Sequence, residues 1–399
     1  MKLGELVRIR TGRLDANQAV ENGRYPFFTC AAEPLRIDAW QYDCECVLVA
    51  GNCNPYVSYY NGKFNAYQRV YIIEVEAVDR LCAKYLYYFL KLYMKRSTDR
   101  QHGAIEKFFH LSDFTDIEVN FPSVEEQRLV ADSLWAIDRK IALNRKRIAT
   151  LEAMAKEIYD YWFVQFDFPD AHGRPYKSSG GAMVYNPDLK REIPKGWEVC
   201  RIGDHITANR GISYSTKNIS SGNGVPMINL NSFNVDSSYK VKGIKMFDGE
   251  IPSTRRIAPY DLVMCNTQQT DLDPCKDIIG KSFLVPDIFE GTIVSSHHVT
   301  TIHVDDDNLK VYLNALFHTR EFHAYIAGYA SGTSIRGLNF HGVENCYIAV
   351  PHMPLLSRFA NLALSCEKEK SRILRNQEML QTMRDFILPL LMNGQVKVG

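Results

Sequence analysis

Between Leu134 and Trp162 the apolar positions fall alternately three and four residues apart. The seam runs Leu134, Ile137, Ile141, Asn144, Ile148, Leu151, Ala155, Ile158, Trp162. That spacing predicts a long helix packed lengthwise on another helix. A second seam lies near the C-terminus: Leu362, Cys366, Glu369, Ile373, Asn376, Leu380, Met383, Ile387, Leu390. A constant offset relates the two seams and sets Asn144 on Asn376. Glu369 against Ile137 is the one poor match. The first helix is expected over about 123–163 and the second over about 354–392, leaving the helix by 388–391 because of Pro389. Each is roughly 55 Å long at 1.5 Å per residue. If the helices pack antiparallel, the two central amides meet and fix register. Otherwise each amide reaches solvent at a ragged seam.

The segments ahead of the helices repeat as well. HGAIEKFFHLSDFTDIEVNFPSVEEQ (102–127) aligns with GTSIRGLNFHGVENCYIAVPHMPLLS (332–357), with Ile105 on Ile335 and Phe108 on Leu338. More weakly, LGELVRIRTGR (3–13) matches RIGDHITANRG (201–211). A repeat of this length is a duplicated domain rather than a solenoid unit.

Within 1–121, CVLVAG (46–51) reads as a strand, YYNGKF (59–64) as an Asn-Gly turn and AYQRVYIIEV (66–75) as the next strand. AKYLYYFLKLYMKR (83–96) reads as a short amphipathic helix and DIEVNFP (116–122) as another strand. In the later half, GVPMINLNSF (224–233) and YDLVMCNTQQ (260–269) read as strand segments leading into polar loops. IGKSFLV (279–285) and IVSSHHVTTIHV (293–304) read as a strand pair or parts of one. YLNALFHTREFHAYIAGYA (312–330) reads as the counterpart of the helix at 83–96. The stretch after the first helix is rich in Gly, Pro, Ser and Tyr, and its aromatic residues predict an ordered connector.

Composition narrows the function classes. The 399 residues are 46% hydrophobic and 23% charged, normal for a folded soluble chain of two domains. No run of eighteen apolar residues and no secretory signal are found, and ten scattered cysteines read as reduced thiols. The net charge is +1, and residues 1–121 hold 15 basic and 15 acidic side chains, so bulk charge does not mark a nucleic-acid binder. Phosphate-binding Gly-rich loops, GxGxxG, HExxH, GxSxG and paired CxxC motifs are absent from the sequence. Cys44 and Cys46 share a strand face without a second pair. His297, His298 and His303 cluster without a carboxylate at ligand spacing. Asn54-Pro55-Tyr56 only distantly resembles the loop with which amino-methyltransferases hold a flipped base. The chain therefore reads as non-catalytic, with no metal or cofactor of its own.

The order and duplication of these stretches resemble the specificity subunit of a type I restriction–modification enzyme. The resemblance rests on PFFTCA (26–31) with YYNGKFNAYQRVY (59–71), FPSVEEQRLVADSL (121–134), NRKRIATLEAMAKEIYDYWF (144–163) and EIPKGWEV (192–199). It implies duplicated, mixed α/β (α+β) target-recognition domains joined by two long antiparallel coiled-coil helices with pseudo-twofold symmetry. The expected organisation is a first recognition domain (1–121), helix one (122–163), connector (164–190), second recognition domain (191–350), helix two (351–392) and a tail (393–399). It also implies a DNA-binding subunit that reads a bipartite, asymmetric site in double-stranded DNA. Two methyltransferase (modification) subunits and the restriction/translocase subunits would be its partners in a prokaryotic cytoplasm, with no membrane. S-adenosylmethionine, ATP and Mg would sit on those partners.

Readout of bases calls for Arg, Lys, Asn, Gln and hydroxyls on loops or strand ends, and phosphates take the cations and hydroxyls. The candidates in the first domain are Tyr59, Asn61, Lys63, Asn65, Tyr67 and Arg69, around the expected hairpin turn. In the second they are Arg255, Arg256, Asn266, Gln268, Gln269, Lys281, Ser295, Ser296, His297, His298 and Arg336. Asn144 and Asn376 are the register residues. Each of these positions also fits an ordinary polar loop or sheet face. A coiled-coil scaffold with two protein-binding heads is the alternative reading of the whole chain.

Overall fold

The computed structural model describes residues 1–51, 56–99, 109–220, 222, 224–269 and 277–398. The expected Asn54-Pro55 motif and the match of Ile105 and Phe108 lie outside the described residues. The chain divides into two compact units, Met1–Leu143 with Gln377–Gly399, and Asn144–Asn376.

The first unit is built on a sheet of β1 (Val7–Thr11), β2 (Tyr25–Phe28), β3 (Leu35–Ile37), β4 (Tyr42–Ala50), β5 (Val57–Ala66) and β6 (Val70–Val75), in the order β1-β6-β4-β5-β2-β3. β2 runs parallel to β5 and the other pairings are antiparallel. Helices α1 (Ala83–Asp99) and α2 (Ser112–Thr115) follow, then the start of α3 (Val124–Tyr159). Val47, Val49 and Ile73 from the sheet, Leu86, Tyr88 and Leu90 from α1, and Val130 and Leu134 from α3 form one core.

Two expectations fail here. Asn61-Gly62 is not a turn: β5 passes straight through it, with Asn61 opposite Glu45 and Gly62 opposite Cys44, and the chain reverses at 67–69 instead. Eight consecutive pairings along β4 outweigh a local turn preference, which tertiary context readily overrides. DIEVNFP is not a strand either. Only Met1–Leu3 stand opposite it, and they supply a single bridge, Lys2 to Glu118. In the second unit, Glu198–Arg201 pairs with Tyr347–Val350 over four residues.

In the second unit the strands are β7 (Met183–Asn186), β8 (Arg191–Pro194), β9 (Glu198–Arg201), β10 (Ile206–Arg210), β11 (Ile219–Ser220), β12 (Val225–Ile228), β13 (Lys245–Phe247), β14 (Arg256–Ile257), β15 (Leu262–Cys265), β16 (Thr267–Gln269), β17 (Ser282–Leu284), β18 (Ile293–Ser295) and β19 (Val299–Val304). After them come α4 (Asp307–Phe317), α5 (Arg320–Ala327), β20 (Ala330–Ser331), β21 (Ile335–Leu338), α6 (His341–Glu344), β22 (Tyr347–Val350) and α7 (Met353–Met392). Sheets β10-β19-β15-β17, β11-β13-β12-β18-β14 and β16-β21-β20 carry most of them. IGKSFLV and IVSSHHVTTIHV are thus parts of one sheet but not a direct pair: β17 and β19 share a sheet with β15 between them, and β18 belongs to another. Nor is 312–330 one helix. It breaks at His318-Thr319, where the Thr319 hydroxyl caps α5 by accepting from the Phe322 amide at 3.2 Å. The connector is ordered: β7 and β8 form a hairpin, and Phe166, Phe168 and Trp197 are buried with Tyr159, Trp162 and Phe163 in the core of this unit.

The duplication shows in the backbone. β1 on β6 and β10 on β19 are the same antiparallel pairing, and β2 on β5 and β12 on β18 the same parallel one. Gly12 lies against the Ala66 carbonyl and Gly211 against that of Ser295, where any Cβ would collide with the oxygen. The weak alignment of 3–13 with 201–211 therefore follows from a shared close approach.

Both long helices are α-helical over most of their expected lengths. Ser123 and Glu126 form a reciprocal capping box before α3, with both bonds at 3.3 Å. The buried Gln127 ties that first turn to the body of the unit, donating to the Arg80 and Pro122 carbonyls and accepting from the Cys82 amide. α3 ends in a π-helical turn at Asp160–Val164. α7 runs through Pro389 to Met392, because Leu388 and Leu391 are packed in the core of the first unit and hold the last turn closed. The expected second seam is partly wrong: Leu362 and Met383 are 43% and 45% exposed. Ile373 of that seam is buried as expected, and Leu356, Phe359 and Ala363 are buried as well.

Candidate nucleic-acid interface

Strand β5 sorts the first group of expected residues. Tyr59 turns its ring onto Trp135 of α3 and Tyr87 of α1, and its hydroxyl donates to Glu45 at 2.5 Å. It is a packing residue in this conformation. Asn61 and Lys63 are exposed further along the strand. Asn65 is buried: its amide donates to the Ala39 carbonyl at 3.4 Å, and the Gln41 amide donates to the Phe64 carbonyl at 3.1 Å. Together they dock the loop that presents Trp40, an exposed indole with the Lys63 ammonium 4.6 Å from its ring centre. An exposed aromatic face beside a cation suits stacking and phosphate contact. Tyr67 is half-buried and Arg69 exposed at the reversal after β5. Trp40 was not singled out from the sequence, since an isolated Trp between short strands carries no pattern.

The second group converges more tightly. Asn266 is buried between β15 and β16, where its amide donates to Thr300 Oγ1 at 2.8 Å and its backbone bonds His298 and Leu338. Its neighbour Thr267 meets His298 Nδ1 at 2.6 Å. The His298 and His297 rings lie 3.8 Å apart, and His297 also contacts Tyr214. The Lys245 ammonium donates to the Tyr214 hydroxyl at 3.3 Å. Burial, then His297 and Lys245, push the His298 imidazole below its ordinary value, so the neutral ring is favoured. Beneath this cluster four buried polar atoms have no protein partner: Asn266 Oδ1, Ser295 Oγ, Ser296 Oγ and His297 Nδ1. Such a concentration of unpaired donors and acceptors is what a polar ligand edge or bridging water satisfies.

Other expected residues are engaged elsewhere. Gln268 accepts from the Ile278 amide and stands opposite Arg336 across β16 and β21. Arg336 pairs with Asp277 at 3.1 Å. Gln269 lies in β16, opposite Ile335. Arg255 donates to the Arg210 carbonyl, and Arg256 is exposed on β14. Lys281 is half-buried, with its pKa lowered by desolvation. It lines a separate cavity of about 490 Å³ with His318, His323 and Lys156. Tyr214 and Lys245 were missed in the sequence because they sit in irregular segments with no periodic signal.

The remaining sequence motifs stay apart. His303 is exposed on β19, opposite Thr207 of β10. Cys44 and Cys46 lie on β4 with thiols pushed up by burial, and Cys44 Sγ meets Arg10. Among the described residues no group of three His, Cys, Asp or Glu side chains could hold a metal ion. Among them, too, no helix is long and apolar enough to cross a membrane.

On the long helices, Asn144 is buried and its amide donates to Asn376 Oδ1 at 3.1 Å. Arg147 pairs with Glu369 and Glu152 with Lys370 in the same unit. In the other unit Asp138 pairs with Arg384. From Asn144 on Asn376 to Glu152 on Lys370, and from Glu126 on Lys397 to Asp138 on Arg384 in the other unit, a later α3 residue meets an earlier partner, so within each unit the segments run antiparallel.

The family model described as "Type I restriction modification DNA specificity domain" matches residues 1–153. The Type I restriction enzyme EcoDI specificity subunit of Escherichia coli is 38% identical over 39% of this chain, and the match spans about a third (34%) of that protein. The MjaIX specificity subunit of Methanocaldococcus jannaschii is 26% identical over 80% of this chain and 70% of its own length. The crystal structure of the type I restriction–modification S subunit from M. genitalium superposes with a TM-score of 0.65. At 14% identity it covers 98% of this chain and 95% of that one, a likeness of fold. With two unlike copies of a mixed α/β unit, each running into a long helix, the chain is similar in sequence to type I restriction enzyme specificity subunits, and its first 153 residues match their DNA specificity domain.

Proposed function

We propose that the chain is a non-catalytic DNA-recognition subunit that reads a bipartite, asymmetric site in double-stranded DNA, one half with each unit. The observation that carries this reading is the duplication itself. The shared backbone pairings support two surfaces of the same kind, while the polar residues they carry differ. Lys63 and Trp40 characterise the first surface; Thr267, His298, Tyr214 and Lys245 characterise the second. Two different half-sites are the natural counterpart of two different surfaces. A near-neutral chain supplies little general phosphate attraction, so partner subunits contribute much of the affinity.

Those partners are two methyltransferase subunits, docked on the long helices, and restriction/translocase subunits beyond them, in a prokaryotic cytoplasm. Met379, Met383 and Phe386 leave an apolar face exposed on α7 that suits such docking. S-adenosylmethionine, ATP and Mg belong to the partners. The proposed domain limits are 1–121 and 191–350 for the recognition domains, with helices at 122–163 and 351–392.

The test is to express the chain with a type I modification subunit, map methylated bases genome-wide, and crosslink the assembled complex to its site. Methylation at one asymmetric two-part motif, with each unit crosslinked to a different half, is the expected outcome. Methylation without crosslinks to either unit would instead leave the chain as a protein-binding scaffold.

A further inference from the structure

The repeat that sets Asn144 on Asn376 at an offset of 232 residues also sets Asp138 on Lys370 and Glu152 on Arg384. These four residues form the two least exposed ion pairs between the long helices. Asp138 meets Arg384 at 2.7 Å, with both side chains 18% exposed. Glu152 meets Lys370 at 3.0 Å, with Lys370 15% exposed. The two pairs are thus the same position of the repeat, written with one polarity: α3 supplies both acids and α7 both bases. We infer that this charge pattern selects α7 as the partner of α3 and rejects the pairing of either helix with its own copy from a second chain.

The argument is one of register. In the antiparallel alignment centred on the Asn pair, two copies of α3 would set Asp138 of each chain against Glu152 of the other. Two copies of α7 would set Arg384 against Lys370. Like charges would be forced together at positions shielded from water, where their repulsion is poorly screened. The central Asn would not oppose this, since Asn144 on Asn144 makes the same amide pair as Asn144 on Asn376. The apolar seam positions that the two helices share, such as Ile141 and Ile373, would not oppose it either. Selectivity between unlike and like pairings has to come from charge, as in helical zippers sorted by flanking charges. The exposed pair of opposite polarity, Arg147 with Glu369, offers no compensation. The repeat sets Met379 and Ile137 at those positions, so a like pairing would leave Arg147 facing an apolar side chain.

Reversing one pair alone removes the selection while keeping both ion pairs between the helices. Glu152→Lys with Lys370→Glu leaves both ion pairs satisfied, but gives each helix one acid and one base, so that like helices attract. Glu367→Gln is included in the parent, because Glu367 touches Lys370 at 3.0 Å. Full-length chains with two different tags are unfolded together, refolded at micromolar concentration, and captured through one tag. The second tag measures mixed dimers, above a background of swapped dimers through unlike helices that all variants share. Recovery several-fold above the parent is expected for the reversed chain. It should return to the parent level when Asp138→Arg and Arg384→Asp are added, with Tyr88→Phe to remove the hydroxyl that Asp138 accepts from and Asp385→Asn to remove the second carboxylate that holds Arg384 at 2.8 Å. If the reversed chain does not refold, reversing the Asp138–Arg384 pair alone, again with Tyr88→Phe and Asp385→Asn, asks the same question. Mixed-dimer recovery equal to the parent in a folded single-pair reversal, or still raised in the double reversal, overturns the inference.

Discussion

At the residue scale, two imidazoles in the second unit store a pH dependence. Burial pushes His318 and His323 down to about 4, from an ordinary value of 6.5. A histidine whose folded pKa is depressed binds a proton more readily when unfolded. Its contribution to stability is therefore whole above pH 6.5 and is lost as the pH falls toward 4. Between pH 7 and 5 the second unit is expected to lose thermal stability with a slope of up to two protons. His318→Gln, by removing one of them, should flatten that slope in a melting series. At the two surfaces the expectation is different. Under the proposed function, Lys63→Ala should weaken binding or methylation by about tenfold or more through the first half-site, and Lys245→Ala with His298→Ala through the second. Each should leave the sequence preference of the other half unchanged when motifs are mapped. Loss of preference at both halves from either change would contradict separate readout.

At the element scale, α3 and α7 show how far a pattern carries. Their existence, lengths and central amides follow from a period that needs no tertiary information, because a lengthwise seam repeats every three or four residues whatever lies around it. Asn144→Leu should cost about 1–3 kcal/mol in chemical denaturation by leaving the Asn376 amide unpaired. Asn144→Leu with Asn376→Leu should recover most of that. Removing seven residues from each helix shortens it by about 10 Å. Under the proposed function this should shorten the unread DNA spacer by about three base pairs at 3.4 Å each, and methylation mapping reads the result directly. The burial detail of α7 was less legible. Leu362 and Met383 look like seam residues but are exposed, and α7 also packs against the second unit through Ser371 and Arg375, which hold Asp287.

At the scale of the whole chain, duplication is the feature that reaches function. Neither composition nor net charge points to DNA; it is the two related but unlike units that support the proposed two-part ligand. Swapping the second unit's loops 214–220 and 295–298 for those of a relative should change one half of the methylated motif and leave the other half and the spacer intact. A change at both halves would mean that the units do not read independently.

The linear order of residues already contained the helices, the repeat, the paired amides and the absence of catalytic motifs. All of these depend on spacing along the chain or on which residue types are present. What it did not contain was the course of the strands and the membership of the polar clusters. Asn61-Gly62 reads as a turn until β4 is laid beside it. Tyr214, Lys245, Thr267 and His298 come from four separate stretches and meet only through the folding of strands and loops distant in the chain. Local preferences are worth fractions of a kcal/mol per residue, whereas a strand pairing or a buried contact draws on residues far away in the chain, and such distant terms leave no periodic trace.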